Sequence, residues 1–435
     1  MNDRSRNAMS RRGATRAGVL MLATAGLVGT LAPQAPAVSA ASATPAAVAS
    51  AAVASNAAAS GAGTPGAGTP GAGASVRTVG VDPAERLRVL RTVVDSGAAT
   101  WDMARIVEGG RTVWKGAAGT AARGTGRQVD PDGRFRIGSI TKTFTATVVL
   151  QLVGERRIAL DEPVDTYLPG VLPDGARITV RQLLNHTSGL YDYTDDPRYV
   201  PVDDAGLSRW VRSDRWRTYS AGSMVAEAAG RAPHFPPGQG WRYSNTNYLV
   251  AGMLVQRVTG RTWNQEVERR IVRPLGLRDT SMPAASPLIR GPHARNYTRL
   301  PSGPVDTTRL NPSVAGAGGA GVSSTADLAR FHSALFRGTL LRPAELTEMK
   351  RTVPTGLGVR YGLGVQRLDS LDGLGCGPLW GHAGGIHGSA AHLFGDADGH
   401  RQGVTAVSLY GRADTNAIVT RLNEAVACTG QGGGS

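Results

Sequence analysis

Lysine and cysteine are scarce in this chain, and the scarcity of cysteine argues against a zinc site. Among its 435 residues there are two cysteines, Cys376 and Cys428, and no Cys/His spacing of the zinc-binding kind. The sequence also lacks a Gly-x-Ser-x-Gly motif, which argues against the nucleophile elbow of an α/β-hydrolase. We therefore expect no metal, no cofactor and no serine nucleophile of the elbow type.

No apolar run is long enough to cross a bilayer, which takes about 20 residues. The longest run, residues 17–28, follows five arginines and precedes small residues that end at Ala40. This pattern predicts a secretory signal peptide over residues 1–40, with a twin-arginine route left open, and hence a secreted mature protein without a transmembrane segment. Residues 41–77 are almost entirely small residues and proline, which indicates a flexible linker or pro-segment.

The expected export predicts how the two cysteines pair, and the distribution of charge indicates which partners the protein can bind. Because an exported protein matures under oxidising conditions, we expect Cys376 and Cys428 to form a structural disulfide. The formal net charge is +15, and nearly all of it comes from arginine, since the chain has only three lysines. The arginines are scattered and form no single stripe, so we expect no nucleic-acid partner. A basic surface is compatible with attraction to anionic cell-wall polymers.

Strand patterns occupy both ends of the region after the linker, and helical patterns occupy its middle. A hairpin is predicted over residues 100–116 and a meander of strands over 361–409, followed by a last helix over 414–427. Between residues 161 and 309 the patterns are helical, and no segment there has the alternation of a strand.

We therefore predict an α+β fold, in which an antiparallel sheet built from the N- and C-terminal segments is flanked by helices and carries an inserted all-α subdomain. The catalytic cleft is expected at the seam between the sheet and the helical part. The predicted boundaries are 78–429 for the whole domain, about 78–160 and 310–429 for its α/β part, about 161–309 for its helical part, and 430–435 for a flexible tail.

The stretch Phe135–Val153 is apolar on nearly every side, which is typical of a buried helix. Ser139 stands near its start, and Lys142 follows one helical turn later. A serine hydroxyl needs an adjacent base to act as a nucleophile, and a lysine amine can serve when burial keeps it partly neutral. Ser139 is also a good helix N-cap, so the pair taken alone is equally compatible with an ordinary helix start.

Tyr243 and Asn245 lie two residues apart on a loop between Pro-Pro-Gly and a predicted helix. Tyr243 can take the Ser139 proton if a nearby Lys142 cation lowers its pKa. Asn245 can hydrogen-bond both the lysine and a substrate amide. Taken alone, Tyr243 is equally compatible with an ordinary aromatic residue of a loop, and Asn245 with an asparagine that caps the following helix.

His382, Gly384 and Gly385 lie at the edge of a predicted strand. The glycines let a substrate backbone approach closely, and a backbone N–H there, opposite that of Ser139, would complete an oxyanion hole. His382 can polarise Tyr243 or position the substrate, although taken alone it is equally a loop histidine in a glycine turn. The spacing of His382, His387 and His392 by five alternates the faces of a strand, so we expect no metal triad.

Three motifs, in this order and at this wide spacing, resemble those of the penicillin-recognising serine enzymes: Ser139-x-x-Lys142, Tyr243-x-Asn245 and His382-x-Gly384. The likeness is strongest to secreted bacterial serine D-alanyl-D-alanine carboxypeptidases, relatives of the class C β-lactamases. It runs from about residue 84 to residue 429 and includes residues 178–193 and 361–364, together with both cysteines.

The resemblance implies a β-lactamase/DD-peptidase-like fold and a function in peptidoglycan metabolism. Ser139 would be acylated by a stem peptide or a similar small acyl substrate, with release of terminal D-alanine, and β-lactams would acylate the same serine. Lys142 and Tyr243 would share the acid–base work. The remaining roles that the resemblance implies are support by Asn245 and His382, and an oxyanion hole formed by the N–H groups of Ser139 and Gly385.

Some substrate-contact positions depart from the carboxypeptidase pattern. Ala383 and Gly385 stand where hydroxyl residues are expected, and Val314 stands where a cleft tryptophan is expected. Gln366 replaces the arginine that binds the terminal carboxylate, while Arg367 is expected to point to the opposite face. We keep Gln366, Gly384 and Gly385 as predicted substrate-binding positions. Two alternatives stay open: a related serine esterase or weak β-lactamase, and an inactive binding or sensor module.

Overall fold

The computed structural model describes residues 82–369 and 377–409. The predicted signal peptide, linker and C-terminal tail lie outside these residues, as do the helix predicted over 414–427 and both predicted disulfide cysteines. The described strands, numbered in chain order, are β1 Ala99–Glu108, β2 Arg111–Gly119, β3 Phe135–Arg136, β4 Tyr297–Leu300, β5 Gly303–Asp306, β6 Val322–Ser323, β7 Val353–Pro354, β8 Arg360–Tyr361, β9 Gln366–Leu368, β10 Leu379–Ile386, β11 Ser389–Gly395 and β12 Arg401–Leu409.

The α-helices of the described residues are concentrated between β2 and β7. They are α1 Pro83–Asp95, α2 Thr141–Gly154, α3 Val180–Leu184, α4 Asp204–Arg212, α5 Ala221–Ala229, α6 Asn245–Thr259, α7 Trp263–Val267, α8 Gly316–Gly319, α9 Thr325–Phe336 and α10 Pro343–Lys350. A π-helical turn, Glu268–Val272, continues α7.

Eight strands form one antiparallel sheet in the order β2-β1-β12-β11-β10-β9-β8-β7. The N-terminal hairpin joins the C-terminal meander through β1 and β12, where Met103 lies opposite Ala406. This closure confirms the predicted α+β fold, with a sheet built from both ends of the domain. The short strands β3 and β6 pair separately, and Phe135 of β3 leads into the Ser139 segment.

The two faces of the sheet are covered by different helices, because successive strand residues point to opposite sides. Ala104 and Ile106 of β1 pack with Leu90 and Val93 of α1 in one apolar cluster. Trp101 and Met103 belong instead to the large core shared with α2, α6 and α9. The large core therefore lies between the sheet and the helical part.

The structure corrects the expectation that the segment 161–309 contains no strand. β4 and β5 form a hairpin over residues 297–306, in which Tyr297 lies opposite Asp306. Each strand has only four residues, which is too short to establish an alternation in the sequence. The helix α4 was not predicted either; Asp203 caps it through the Gly206 N–H, and it buries Trp210.

Helix α2 is buried along nearly its whole length, as its sequence predicted. Its threonines remain compatible with burial because their hydroxyls find acceptors: Thr143 donates to the Gly364 carbonyl and Thr145 to the Ala317 carbonyl, each at 2.8 Å. The helix packs against both β10 and the helices of the inserted part, and so brings Ser139 to the predicted seam. Over the described residues, no helix combines the length and apolar character needed to span a bilayer.

Candidate active site

Ser139 lies in a 3₁₀ turn, Gly138–Ile140, immediately before α2. The alternative that Ser139 serves as a helix N-cap is not supported, since α2 begins at Thr141 without a side-chain cap. Gly138 has a φ of +49°, a conformation that glycine adopts at little cost. Thr141 donates its hydroxyl to the Gly138 carbonyl at 2.7 Å and holds the turn. The Ser139 hydroxyl is therefore not used in capping and faces Lys142.

The buried Lys142 amine has three hydrogen-bond partners. Nζ lies 3.1 Å from Ser139 Oγ, 2.7 Å from Asn245 Oδ1 and 2.8 Å from the Gly318 carbonyl oxygen. The last two are carbonyl oxygens, which can only accept. A neutral amine has two N–H groups for these two oxygens, and its lone pair then faces the Ser139 hydroxyl. This geometry supports a lysine that receives the serine proton.

The pKa of Lys142 agrees with that role. Burial lowers it to about 7, because the ammonium form loses its hydration, and the Asp192 carboxylate acts in the opposite direction. At neutral pH a substantial fraction of Lys142 is therefore uncharged. A buried lysine that is partly neutral can accept the proton of Ser139.

Tyr243 lies on the loop before α6, and its hydroxyl is hydrogen-bonded to that of Ser139. Lys142 Nζ lies 4.8 Å from the centre of the Tyr243 ring. The expectation that Lys142 lowers the pKa of Tyr243 is not met, because burial raises this pKa and the hydrogen bond with Ser139 opposes the rise only in part. The phenol is therefore neutral where Lys142 is deprotonated, and in this state it can donate a proton.

Asn245 begins α6, and its amide joins Lys142 to a carboxylate that the motifs did not reveal. Its Nδ2 donates to Asp192 Oδ2 at 2.9 Å and to Thr194 Oγ1 at 3.1 Å. Asp192 is buried, although it lies on a loop. The sequence gave little indication of this residue, since Asp192 is one of three aspartates within five positions.

His382 lies inside β10, whereas the sequence placed it at a strand edge. Its ring centroid is 6.5 Å from that of Tyr243, and its Nε2 is 2.8 Å from the Tyr361 hydroxyl. Burial, followed by the charge of Lys142, lowers the pKa of His382 to about 3, so the imidazole is neutral. His382 thus lies beside Tyr243 and hydrogen-bonds Tyr361.

The other two histidines of the evenly spaced series occupy separate environments. His387 stacks on Trp210 with ring centroids 3.8 Å apart, and His392 Nδ1 lies 3.3 Å from the Thr405 hydroxyl. Within residues 82–369 and 377–409, no group of three or more His, Cys, Asp or Glu side chains could hold a metal ion.

The glycines of β10 lie against the Ser139 turn. A Cβ on Gly384 would be 2.0 Å from the Ile137 carbonyl oxygen and 2.8 Å from the Ser139 nitrogen, so this approach requires glycine. A Cβ on Gly138 would in turn be 2.6 Å from the Gly385 nitrogen. The backbone segments of Ser139 and Gly385 therefore lie against each other, as an oxyanion hole formed by their N–H groups would require. Gly385 is only partly buried, so this region reaches solvent.

Gln366 of β9 is engaged with the neighbouring strand. Its Oε1 accepts a hydrogen bond from the Ala383 N–H at 3.1 Å, and its side chain is buried. Arg367 lies 5.6 Å from the centre of the Trp380 ring and pairs with Asp369, so it points away from Gln366 as expected. Neither side chain presents a cation to the region beside Ser139.

His186 is a second group that the motifs did not reveal. It packs among tyrosine rings, and its Nδ1 accepts from the Ser244 N–H at 3.2 Å and lies 3.1 Å from Asn247 Nδ2. Its φ of +65° is unusual for a residue with a side chain. The following Thr-Ser-Gly indicates a turn, but the sequence alone does not reveal the left-handed backbone.

Comparison with known proteins identifies the family of this chain. A family profile described as "Beta-lactamase" matches residues 88–431. Esterase EstB of Burkholderia gladioli is 33% identical over 190 residues, which are 42% of this chain and 47% of EstB. Penicillin-binding protein 4 of Amycolatopsis lactamdurans is 34% identical over 166 residues, which are 37% of this chain and 39% of that protein. The matches thus span less than half the length of these curated relatives.

Solved structures match over a longer span. A D-stereospecific amidohydrolase from Streptomyces sp. has a TM-score of 0.69 and 38% identity, covering 78% of this chain and 97% of that chain. A D-amino acid amidase from Ochrobactrum anthropi has a TM-score of 0.67 and 27% identity, covering 79% of this chain and 98% of that chain. Each match covers nearly the whole length of the solved chain.

Proposed function

Because this chain belongs to the beta-lactamase/penicillin-binding-protein family of serine hydrolases, we propose that it hydrolyses small amides or esters with a D-configured acyl group through an acyl-enzyme on Ser139. The observation that carries the choice of substrate is the state of Gln366 and Arg367. Gln366 Oε1 accepts from Ala383, and Arg367 packs on Trp380. A substrate without a free terminal carboxylate needs neither group. The resemblance to a D-stereospecific amidohydrolase favours D configuration.

Acylation begins with the Ser139 proton. Lys142 takes this proton on its lone pair while Oγ attacks the acyl carbon, and the carbonyl oxygen becomes an oxyanion facing the N–H groups of Ser139 and Gly385. The bond to the leaving nitrogen or oxygen then breaks, and that atom takes the Tyr243 hydroxyl proton. Tyr243 regains a proton from the Lys142 ammonium. Water cleaves the ester by the reverse proton route and restores Ser139.

The second candidate is a serine D-alanyl-D-alanine carboxypeptidase that removes the terminal D-alanine of peptidoglycan stem peptides. It is favoured by the intact cluster of Ser139, Lys142 and Tyr243, and by the similarity to a penicillin-binding protein. Both candidates use one acyl-enzyme, so β-lactams are expected to acylate Ser139 in either case. The predicted leader sequence supports a secreted enzyme that meets such substrates outside the cell.

A matched pair of peptides separates the two candidates. An acylated D-Ala-D-alanine and its C-terminal amide differ only in the carboxylate, and both are assayed with D- and L-phenylalanine amides and a p-nitrophenyl ester. We expect the amidated peptide to be cleaved at least as fast as the free acid, and the D-amide faster than the L-amide. A preference for the free acid of more than about tenfold, or ~1.4 kcal/mol, would instead establish the carboxypeptidase.

Ser139→Ala is the control for every substrate, and a fluorescent penicillin reports whether Ser139 can be acylated at all. Turnover of the ester without any peptide or amide would leave an esterase. A wild-type chain that is folded, is not labelled by the penicillin and cleaves none of the substrates would overturn the proposal and leave an inactive binding or sensor module.

A further inference from the structure

Asp192 is a buried carboxylate next to the catalytic cluster that the acyl-transfer steps do not use. It is 5% exposed, and it lies on the far side of Asn245 from Lys142. Three groups thus form one chain of contacts: the Lys142 amine, the Asn245 amide and the Asp192 carboxylate. The two hydrogen bonds of the chain measure 2.7 Å and 2.9 Å.

Capping explains only half of the contacts that Asp192 makes. Its Oδ1 accepts from the Thr194 N–H at 3.0 Å and caps the 3₁₀ turn Tyr193–Asp195. Its second oxygen, Oδ2, is directed to the Asn245 amide. Since burying a carboxylate is costly unless it is hydrogen-bonded, a residue needed only as a cap would more easily be a serine or an asparagine.

The carboxylate determines which way the Asn245 amide faces. The oxygen and nitrogen ends of an amide have nearly the same shape, so only its partners distinguish them. An ionised carboxylate can only accept, and it therefore requires the NH₂ end of Asn245. Oδ1 then faces Lys142, where it takes an N–H and leaves the lysine lone pair for Ser139. The reversed amide would direct its NH₂ group at Lys142, and donor would face donor.

We propose that Asp192 is a positioning residue for acyl transfer: it fixes the orientation of the Asn245 amide and supplies the negative charge that balances Lys142 within the buried cluster. The catalytic role of Asp192 rests on the proposed function. The effect of Asp192 on the orientation of Asn245 and on the charge of Lys142 does not depend on it.

Among the described neighbours of Lys142, Asp192 is the one carboxylate whose charge raises the pKa of the amine, against the effect of burial. His186 and His382 both interact with Lys142, and burial keeps the pKa of each imidazole below its usual value. Lys142 Nζ also faces the Tyr243 and Tyr248 rings at 4.8 Å and 5.5 Å. The groups that face Asp192, besides Lys142, are Tyr191, Tyr193, Asp195 and Tyr243. Removing the charge of Asp192 therefore leaves burial to favour neutral Lys142.

Because the chain has so few lysines, the effect of Asp192 on the protonation of Lys142 can be measured without any substrate. With lysine labelled by ¹³C at Cε, the described protein has only the signals of Lys115, Lys142 and Lys350, since the full sequence contains three lysines. The signal of Lys142 is the one that Lys142→Met removes, and its chemical shift follows protonation of the amine. Lys115 and Lys350 report in the same spectra whether a substitution has changed the protein elsewhere.

We expect Asp192→Asn to move the Lys142 titration midpoint to lower pH by about one unit, while Lys115 and Lys350 keep theirs. In a parallel assay with the p-nitrophenyl ester, the acidic limb of kcat/KM should move the same way. The plateau should fall about ten- to a hundredfold, since Asn245 loses its fixed orientation. Asp192→Glu, which keeps the charge, should keep the midpoint within ~0.3 units of wild type.

The control is Asp196→Asn, which removes a charge from the same loop but from a carboxylate paired with Arg198 and Arg231. It should leave the Lys142 midpoint in place. If Asp192→Asn does not fold, Asp192→Ser, which also lacks the charge, carries the same expectation. An unchanged Lys142 midpoint in a folded, uncharged variant would overturn the inference. A shifted midpoint in a chain that acylates no substrate would uphold the structural inference and reject the proposed function instead.

Discussion

The imidazole of His186 lies against the phenol of Tyr243, with ring centroids 4.3 Å apart and ring planes tilted by 31°. The polar contacts of His186 within the described residues are with Ser244 and Asn247. It supports the ring whose own hydroxyl is hydrogen-bonded to Ser139. Burial and the neighbouring charge of Lys142 lower the pKa of His186, so this support is an uncharged ring.

Replacing His186 by leucine should therefore lower kcat with little change in the pH dependence. The leucine keeps much of the volume, but the Ser244 N–H and Asn247 lose their acceptor, at a cost of about 1–3 kcal/mol in the free energy of unfolding. Thermal denaturation and ester kinetics measure the two effects. His400→Leu, at an exposed position, is the control and should change neither. A variant with wild-type kcat would show that Tyr243 does not need this ring.

The pH dependence should report Lys142 as the base. Below its pKa of about 7 the amine is an ammonium ion without a lone pair. We therefore expect kcat/KM to fall about tenfold per pH unit below this value and to level off above it. Because the pKa of Tyr243 is raised above its usual value, no alkaline decline is expected up to about pH 9.

Two lysine variants test that assignment. Lys142→Met should lower kcat/KM at least about a thousandfold and abolish the acidic limb. Lys115→Met removes an exposed lysine that pairs with Asp132, and should retain the wild-type profile. A profile that rises through pH 7 in Lys142→Met would assign the limb to another group.

The parts of this site that could be predicted from the sequence are those with a local pattern. The apolar run of α2 indicated burial, and Ser139, Lys142, Tyr243 and Asn245 were singled out by motifs that together resemble those of a known family. The contacts of Asp192 and Gln366 could not be predicted. Asp192 meets Asn245 across 53 positions, and Gln366 meets Ala383 across 17. Only the folded backbone brings such residues together, and no local periodicity records it.

The same limit applies to the protonation of Tyr243. The sequence suggested that Lys142 would make the phenol more acidic. The structure places the phenol among buried rings, where loss of hydration has the larger effect on its pKa. Which of two opposing effects is larger depends on burial, and the sequence does not give the burial of a loop residue.

Gly384 should tolerate no side chain, because its backbone lies against Ile137 and Ser139. A Cβ there would come within 2.0 Å of the Ile137 carbonyl oxygen and force β10 away from the Ser139 turn. We expect Gly384→Ala to lose more than about a hundredfold in acylation rate, since the oxyanion hole opens. Stopped-flow labelling with a fluorescent penicillin measures this rate.

Gly222→Ala is the matched control for Gly384→Ala. Gly222 lies in α5 with no atom within 4 Å of an added Cβ. Alanine there should keep the acylation rate and stabilise the fold by about 0.5–1 kcal/mol. Equal rates in Gly384→Ala and wild type would mean that β10 does not form the oxyanion hole.

The far end of α2 is anchored by a buried carboxylate. The Glu266 side chain is fully buried and bonds Arg269 and Arg270, and Arg270 also pairs with Glu155 at the end of α2. Glu266→Gln should reduce the free energy of unfolding by about 2 kcal/mol, because the largely buried Arg270 loses one of its two carboxylate partners. Chemical denaturation measures it, with Glu268→Gln as control, since Glu268 is only partly buried and, within the described part of the chain, forms its ion pair with exposed Arg273. A difference below ~1 kcal/mol between the two variants would argue against an anchoring role.

The central claim is that one hydroxyl, that of Ser139, carries the acyl group. Intact-protein mass spectrometry after reaction with a slowly hydrolysed penicillin, followed by peptide mapping, tests it most directly. We predict a single adduct on the peptide that contains Ser139, absent from Ser139→Ala and unchanged in Ser302→Ala, which alters an exposed serine. An adduct on any other residue, or an undiminished adduct in Ser139→Ala, would contradict the claim.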